Sequence, residues 1–346
     1  MKRMDLALPF RHLVSSLLPI FAATVLAQNA PTTGLVAHYP LDSSANDLIG
    51  GGGTGTALTE EDGEAIKEQC PAIAYISPLL RSGAQVVYGF IDYKTHAKVS
   101  LVIRREPDGL RAYTHFDTGN YHPITARVYT DLSLFTADPD FGDDLGALFN
   151  FLTGLSKVAE YRRLLVAPTR LRDALRERIL AACAEADRGG APYIAAKVNA
   201  LVDRRMIELL DRAAASGVKV DLIVRGMCGL LPDKSRHGER LRIRSIVGEL
   251  LEHSRIFRFG NGAGQRKPLH IIGSADLMER NLDRRVEVLV PVRDRGHRVR
   301  LDSVLEELQG DDVLAWDLGP DGEWTRRGTA EAVNPQAKIH RLNLRR

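Results

Sequence analysis

The stretch Val218-Lys219-Val220-Asp221-Leu222-Ile223-Val224-Arg225-Gly226 sets the fold class. Its β-branched and aliphatic run predicts a strand over 218–224, with Arg225-Gly226 at the C-terminal end. Just upstream, Asp203 can cap a helix that Gly217 closes. A helix running straight into a strand is the repeating unit of an α/β sheet, and open sheets of this kind place ligands at strand C-terminal ends. Arg225 is therefore a candidate ligand contact.

The same texture extends toward the N-terminus. Thr169 can cap a helix whose Leu171, Leu175, Ile179 and Ala182 recur at helical spacing and which Gly189-Gly190 ends. A second domain is expected to begin near Leu165. Before it, 85–90, 97–104 and 110–116 read as strands, the last two joined by the turn Glu106-Pro107-Asp108-Gly109.

With 346 residues, 44% hydrophobic and 26% charged, the chain can bury two cores. A net charge of +3 is too slight to argue for nucleic acid as partner. Cys70, Cys183 and Cys228 form no CxxC pair and cannot all be paired, so they read as buried thiols, not as a zinc site or disulfide framework. Lys2, Arg3 and Arg11 flank an apolar run, 13–26, that is too short to span a bilayer and ends in Val25-Leu26-Ala27. Residues 1–27 are thus signal-like.

Chemistry enters at Lys94-Thr95-His96-Ala97-Lys98. On a strand, residues two apart share a face, so His96 and Lys98 project together. A histidine nucleophile needs a neutral ring with a fixed cation beside the incoming phosphate, and Lys98 supplies that cation. Downstream, Thr118-Gly119-Asn120-Tyr121 is a turn leading to Thr125-Ala126-Arg127-Val128-Tyr129, and its backbone amides can cradle an anion.

Longer strings carry a resemblance: YGFIDYKTHAKVSLVIRRE (88–106) and HFDTGNYHPITARVYTDLSLFTADPDFGDDLGALFNFLTG (115–154), then KVNALVD (197–203), VDLIVRGMCGL (220–230), IRSIVGELLEHSRIFRF (243–259) and GSADLMERNLDRRVEVLVPV (273–292). Together these closely resemble the two C-terminal catalytic domains of polyphosphate kinases. The resemblance implies an α/β fold with two phospholipase D-like catalytic domains facing each other across one active site. The first spans 79–164 and lacks its opening strands; the second spans 165–346. Residues 28–58 resemble the opening fragment of a laminin-G or concanavalin-like sandwich, and 59–78 match nothing identified.

Carried over by position, the resemblance makes His96 the autophosphorylated histidine, and Tyr129, Arg225 and His253 residues that contact nucleotide phosphates or assist transfer. An arginine fork suits a transferring phosphoryl group better than a lysine does. Lys98 joins His96 and His253 as a candidate catalytic residue, and Asn120 and Arg127 join the candidate substrate site. His253 follows Leu250-Leu251-Glu252, read as the end of a short helix whose dipole would favour the charged ring and a general-acid role. Arg284 and Arg285 are either a polyanion surface or a solvated run paired with Asp283 and Glu287.

The implied partners are ATP, ADP and polyphosphate, with assembly into like subunits; the implied cofactor is Mg2+. The family's arginine-containing strand associated with magnesium should precede Leu79, and unrelated sequence stands there. Loss of those strands is expected to leave an open sheet edge. Asp117 stands where the family usually has a small residue, and Leu277 where it usually has Trp. ATP chemistry places the kinase core in the cytoplasm or at the membrane, whereas the signal-like start points to export. Two rival readings are an inactive or fused remnant and a phospholipase D-like phosphodiesterase. The latter would need a second HxK near Gly273-Ser274, and the nearest histidine, His270, is followed two positions on by Ile272.

Overall fold

The computed structural model describes residues 6–7, 35–37, 84–87, 90, 92–122, 124–157, 160–260, 268–327, 334–337 and 339. The signal-like segment, the laminin-G-like fragment, Cys70 and the unassigned 59–78 lie outside these residues, save short backbone stretches. Those stretches are the strands Leu6–Ala7 (β1) and Leu35–Ala37 (β2); Ala84–Val86 (β3) follows. None of the helices is long and apolar enough to cross a membrane among the described residues.

The first half continues with Lys94–Thr95 (β4), Val99–Glu106 (β5), Gly109–Asp117 (β6), Tyr129–Thr130 (β7), Ser133–Thr136 (β8) and the helix Pro139–Leu152 (α1). The turn expected at 106–109 is present, and Gly109 takes the left-handed φ of +125° that closes it. β1, β8, β6 and β5 form an antiparallel sheet in that order, in which, among the described residues, β5 pairs on one side only. In α1 the Asp138 side chain caps Asp140 N–H, Pro139 fits the first turn, and Phe141, Leu145, Leu148, Phe149 and Leu152 are buried at helical spacing. Buried Asp144 accepts three backbone N–H bonds, from Arg162, Arg163 and Leu164 at 2.7–2.9 Å, and so ties the following connection to the helix.

The second half contains Leu165–Ala167 (β9), Leu171–Asp187 (α2), Tyr193–Val198 (β10), Arg204–Ala215 (α3), Lys219–Val224 (β11), Lys234–His237 (α4), Leu241–Ser245 (β12), Leu251–Glu252 (β13), Arg255–Phe259 (β14), Leu269–Gly273 (β15), Glu279–Asp283 (α5), Arg285–Val292 (β16), Arg295–Gln309 (α6), Ala315–Leu318 (β17) and Trp324–Arg327 (β18). Asp203 caps α3 through Met206 N–H at 2.9 Å, and Gly217 ends it with φ +104°, as the sequence predicts. Thr169 does not cap α2: its hydroxyl donates to Val166 O at 3.1 Å, and Arg170 holds the cap position without a side-chain bond to the first-turn N–H groups.

Ten strands make the main sheet, in the order β18-β17-β12-β11-β10-β14-β15-β16-β4, with β9 also on β16. β10, β11 and β12 are parallel neighbours, as the helix–strand repeat predicts. Successive side chains alternate between two cores. Ile194, Ala196, Val198, Val220, Leu222 and Val224 pack with α2 and α3. Ala195, Ile223, Val286, Val288 and Val290 pack instead with α1, α6 and the small sheet. The strand β4 of the first half pairs in parallel with β16 of the second, with Lys94 opposite Arg285 and Thr95 opposite Val286. That register joins the two halves, as does the parallel pairing of β7 with β13.

Candidate active site

His96 sits at the β4–β16 junction. Its backbone N–H and that of Ala97 both donate to Val286 O, at 2.8 and 3.1 Å, which carries the imidazole beside Glu287, the next residue of β16. Residues 96–98 are not strand, yet His96 and Lys98 meet as expected. His96 Nδ1 lies 2.9 Å from Glu287 Oε2, and Nε2 lies 2.8 Å from Lys98 Nζ. Glu287 is wholly buried, and its Oε2 also accepts from Ser274 Oγ at 2.5 Å. The close approach at Gly273 makes room for this: a Cβ there would stand 2.1 Å from Val288 O.

The electrostatics suit a nucleophile. Burial lowers the His96 pKa, with Glu287 opposing the shift, which favours the neutral ring. A carboxylate at Nδ1 fixes the proton on that nitrogen and leaves the Nε2 lone pair for attack. Lys98, 1% exposed, is pushed down to about 7 by its own burial, against the pull of Glu287.

A second ring mirrors the first. His253 Nδ1 faces Asp131 at 2.8 and 3.0 Å, and Arg255, two residues on, places NH1 3.1 Å from Nε2. The exchange is reciprocal, because His96 of the first half is oriented by Glu287 of the second, while His253 of the second is oriented by Asp131 of the first. Burial lowers the His253 pKa, opposed chiefly by the hydrogen bond to Asp131. No helix precedes this residue. Leu251–Glu252 is a strand paired in parallel with Tyr129–Thr130, which replaces the expected helix end, so Asp131 and not a helix dipole orients the ring. Arg255 is anchored by Asp276 at 2.9 and 3.2 Å and donates to Thr118 O at 3.1 Å.

Arg225 leaves the C-terminal end of β11 as predicted and donates from Nε to Asn199 Oδ1 at 2.8 Å; Asn199 in turn donates its backbone N–H to Asp276 at 2.6 Å. The Tyr129 ring lies 4.8 Å from that of His253. Asp117 accepts from Ser133 Oγ and Gly119 N–H, both at 2.5 Å, and its own N–H donates to Lys98 O at 2.9 Å. Burial, reinforced by nearby Asp131, raises its carboxyl to about 7.

The structure thus gathers His96, Lys98, His253, Tyr129 and Arg225. Asn120 is exposed on the neighbouring turn, and Arg127 is exposed at the end of the short 3-10 helix Thr125–Arg127. Arg284 is exposed and pairs with Glu279 at 3.1 Å, while Asp283, its expected partner, is held by Arg172 at 2.6 Å. Arg285 begins β16, half-buried. Sequence reasoning missed Glu287, Asp131, Arg255, Asp276, Asn199 and Ser274. Two signals were available: Glu287 is a lone carboxylate in an apolar strand, and His253-x-Arg255 repeats the spacing of His96-x-Lys98. No second HxK stands at His270, which is fully buried with its Nε2 facing Asp302 at 2.7 Å; His253-x-Arg255 is an HxR pair. Among the described residues no group of three or more His, Cys, Asp or Glu could hold a metal ion.

Two family models match this chain: polyphosphate kinase C-terminal domain 2 over residues 164–338, and C-terminal domain 1 over residues 67–158. The polyphosphate kinase of Streptomyces coelicolor is 48% identical over 270 residues, covering 78% of this chain and 36% of that protein. That of Parasynechococcus marenigrum is 48% identical over 255 residues, covering 74% and 35%. The crystal structure of polyphosphate kinase from Porphyromonas gingivalis superposes with a TM-score of 0.79 at 28% identity, over 99% of this chain and 53% of that one. The chain spans about a third of the length of these curated relatives.

Proposed function

The chain belongs to the polyphosphate kinase family, and on that premise we propose that it moves the terminal phosphate of ATP to a polyphosphate chain, reversibly, by way of a phosphohistidine on His96. One observation carries the reading: an imidazole whose Nδ1 is tied to buried Glu287 and whose Nε2 faces the Lys98 amino group. In the first step the Nε2 lone pair forms a bond to the terminal phosphorus, the bond from that phosphorus to the bridging oxygen breaks, and ADP leaves. The ring becomes positive and Glu287 stabilises that charge. In the second step a terminal polyphosphate oxygen attacks the phosphohistidine, the P–N bond breaks and the ring returns to neutral.

Phosphoryl transfer asks mainly for positioning and for cations against the equatorial oxygens. Lys98, Arg255 and Arg225 meet this need, and Arg225 and Tyr129 hold the nucleotide phosphates. His253, held at Nδ1 by Asp131 and facing the Arg255 guanidinium at Nε2, assists departure of the leaving oxygen by positioning that cation beside it. Magnesium is expected for the family, but no described side-chain cluster fits it, so no step is routed through it. The rival phosphodiesterase reading draws support from the two ringed histidines, since the same covalent step followed by water would cleave a diester.

The choice of acceptor separates the two. Given ADP and polyphosphate, the chain is expected to release ATP, measured by luciferase, and to leave bis-p-nitrophenyl phosphate intact. Diester cleavage without ATP formation would overturn the proposal.

A further inference from the structure

The ladder that presents His253 is weak by itself. β13 and β7 pair over two residues each, in parallel, and a ladder of that length has little independent stability. A side chain from the far end of the chain completes it. Gln336, 8% exposed, accepts from Leu250 N–H at 3.0 Å and donates Nε2 to Leu250 O at 2.7 Å and to Glu252 Oε1 at 2.8 Å. Its carboxamide thus bonds one residue's N–H and C=O together, as a neighbouring strand would. Gly248 leaves the room for this, since a Cβ there would stand 2.4 Å from Gln336 Oε1.

Glu252 passes the constraint on. Its Oε2 accepts from Lys197 Nζ and Thr130 Oγ1, both at 3.0 Å, and Lys197 also donates to Ser254 O at 3.0 Å. Lys197 and Glu252 are 2% and 5% exposed, so both are held in place. The residues so clamped, Thr130, Glu252 and Ser254, immediately flank Asp131 and His253, the carboxylate and ring that face each other. We infer that Gln336 is a positioning residue for His253: the C-terminal segment straps β13 in the register that keeps the ring against Asp131 and toward the phosphate site. The kinetic part of this inference rests on the function proposed above; the geometric part does not.

The test uses the whole chain with labelled histidine and Gln336→Met, which keeps the volume and removes every hydrogen bond. The His253 ring signal, assigned by its loss in His253→Ala, is expected to move and its titration midpoint to shift, while that of His270 stays. At saturating ATP the rate of His96 phosphorylation should fall on the order of 10-fold, with KM changed less than about twofold because Arg225 is untouched. An unmoved His253 signal in a folded variant overturns the inference, even if melting temperature falls. Should Gln336→Met not fold, Gln336→Glu decides the matter: its neutral form can still donate, so its His253 signal is expected to approach the wild-type position as pH is lowered, and no such approach overturns the strap. If the unaltered chain places no phosphate on His96, the proposed function fails while the ring signal still answers for Gln336.

Discussion

Replacing Glu287 by Gln isolates the charge behind His96. Both donors, His96 Nδ1 at 2.9 Å and Ser274 Oγ at 2.5 Å, meet the same oxygen, Oε2, and Oε1 has no hydrogen-bond partner among the described residues. A glutamine turned with its carbonyl at the Oε2 position keeps both bonds and the same tautomer. What disappears is one negative charge beside a ring that becomes positive as the P–N bond forms. A hydrogen bond to a charged acceptor contributes about 1.5–3 kcal/mol against about 1 for a neutral one, and two unit charges about 5 Å apart interact by roughly 3 kcal/mol at an effective dielectric of 20. The barrier should therefore rise by about 1–3 kcal/mol, which slows phosphohistidine formation roughly 10- to 100-fold. The pH profile gives an independent sign. Glu287 is the chief influence raising the His96 pKa against burial, so its loss lowers that pKa further and moves the acid limb of the rate to lower pH. The assay is single-turnover transfer from labelled ATP, quenched in alkali, across pH. A rate within twofold of the unaltered chain, or an acid limb displaced upward, would refute the reasoning.

Three further outcomes are expected. Asp117 holds its proton up to about 7, whereas an unfolded aspartate releases it near 3.8, so between those values the folded chain binds more protons and stability declines as pH rises. Asp117→Asn should thus raise the melting temperature at pH 8 and not at pH 3, and tighten ATP binding at pH 8; an equal gain at both pH values would contradict the assignment. Arg225→Ala should raise the KM for ATP on the order of 10- to 100-fold, with Arg225→Lys intermediate, because the planar fork and its charge are lost separately; unchanged KM in steady-state assays would remove Arg225 from the site. Arg284→Ala should change neither KM for polyphosphate nor rate by more than about twofold, since it is an exposed pair with Glu279; a larger loss in KM would restore the polyanion surface.

Local chemistry made much of the fold legible. The Asp203 cap, the Gly217 stop, the turn at 106–109 and the strand ending at Arg225 each follow from a few neighbouring residues, and each is present. The misreadings come where distant partners decide. Leu250-Leu251-Glu252 has helical propensity, but pairing with Tyr129–Thr130 and the clamp from Gln336 hold it extended. The partner of His96 was invisible for the same reason: Glu287 lies 191 positions away, and only the parallel register of β4 on β16 brings them together. His96 and Lys98 were legible by spacing alone, although the chain between β4 and β5 is irregular and the Val286 carbonyl at the end of the β4–β16 ladder places the ring.

The account turns on Nε2 of one imidazole. The purified chain is to be mixed with ATP labelled at the terminal phosphate, digested under alkaline conditions, and searched for acid-labile phosphate by mass spectrometry. Label on His96, lost in His96→Ala and discharged by added ADP or polyphosphate, is the predicted result. Label that persists in His96→Ala, or that resides on another residue of the unaltered chain, would contradict the account.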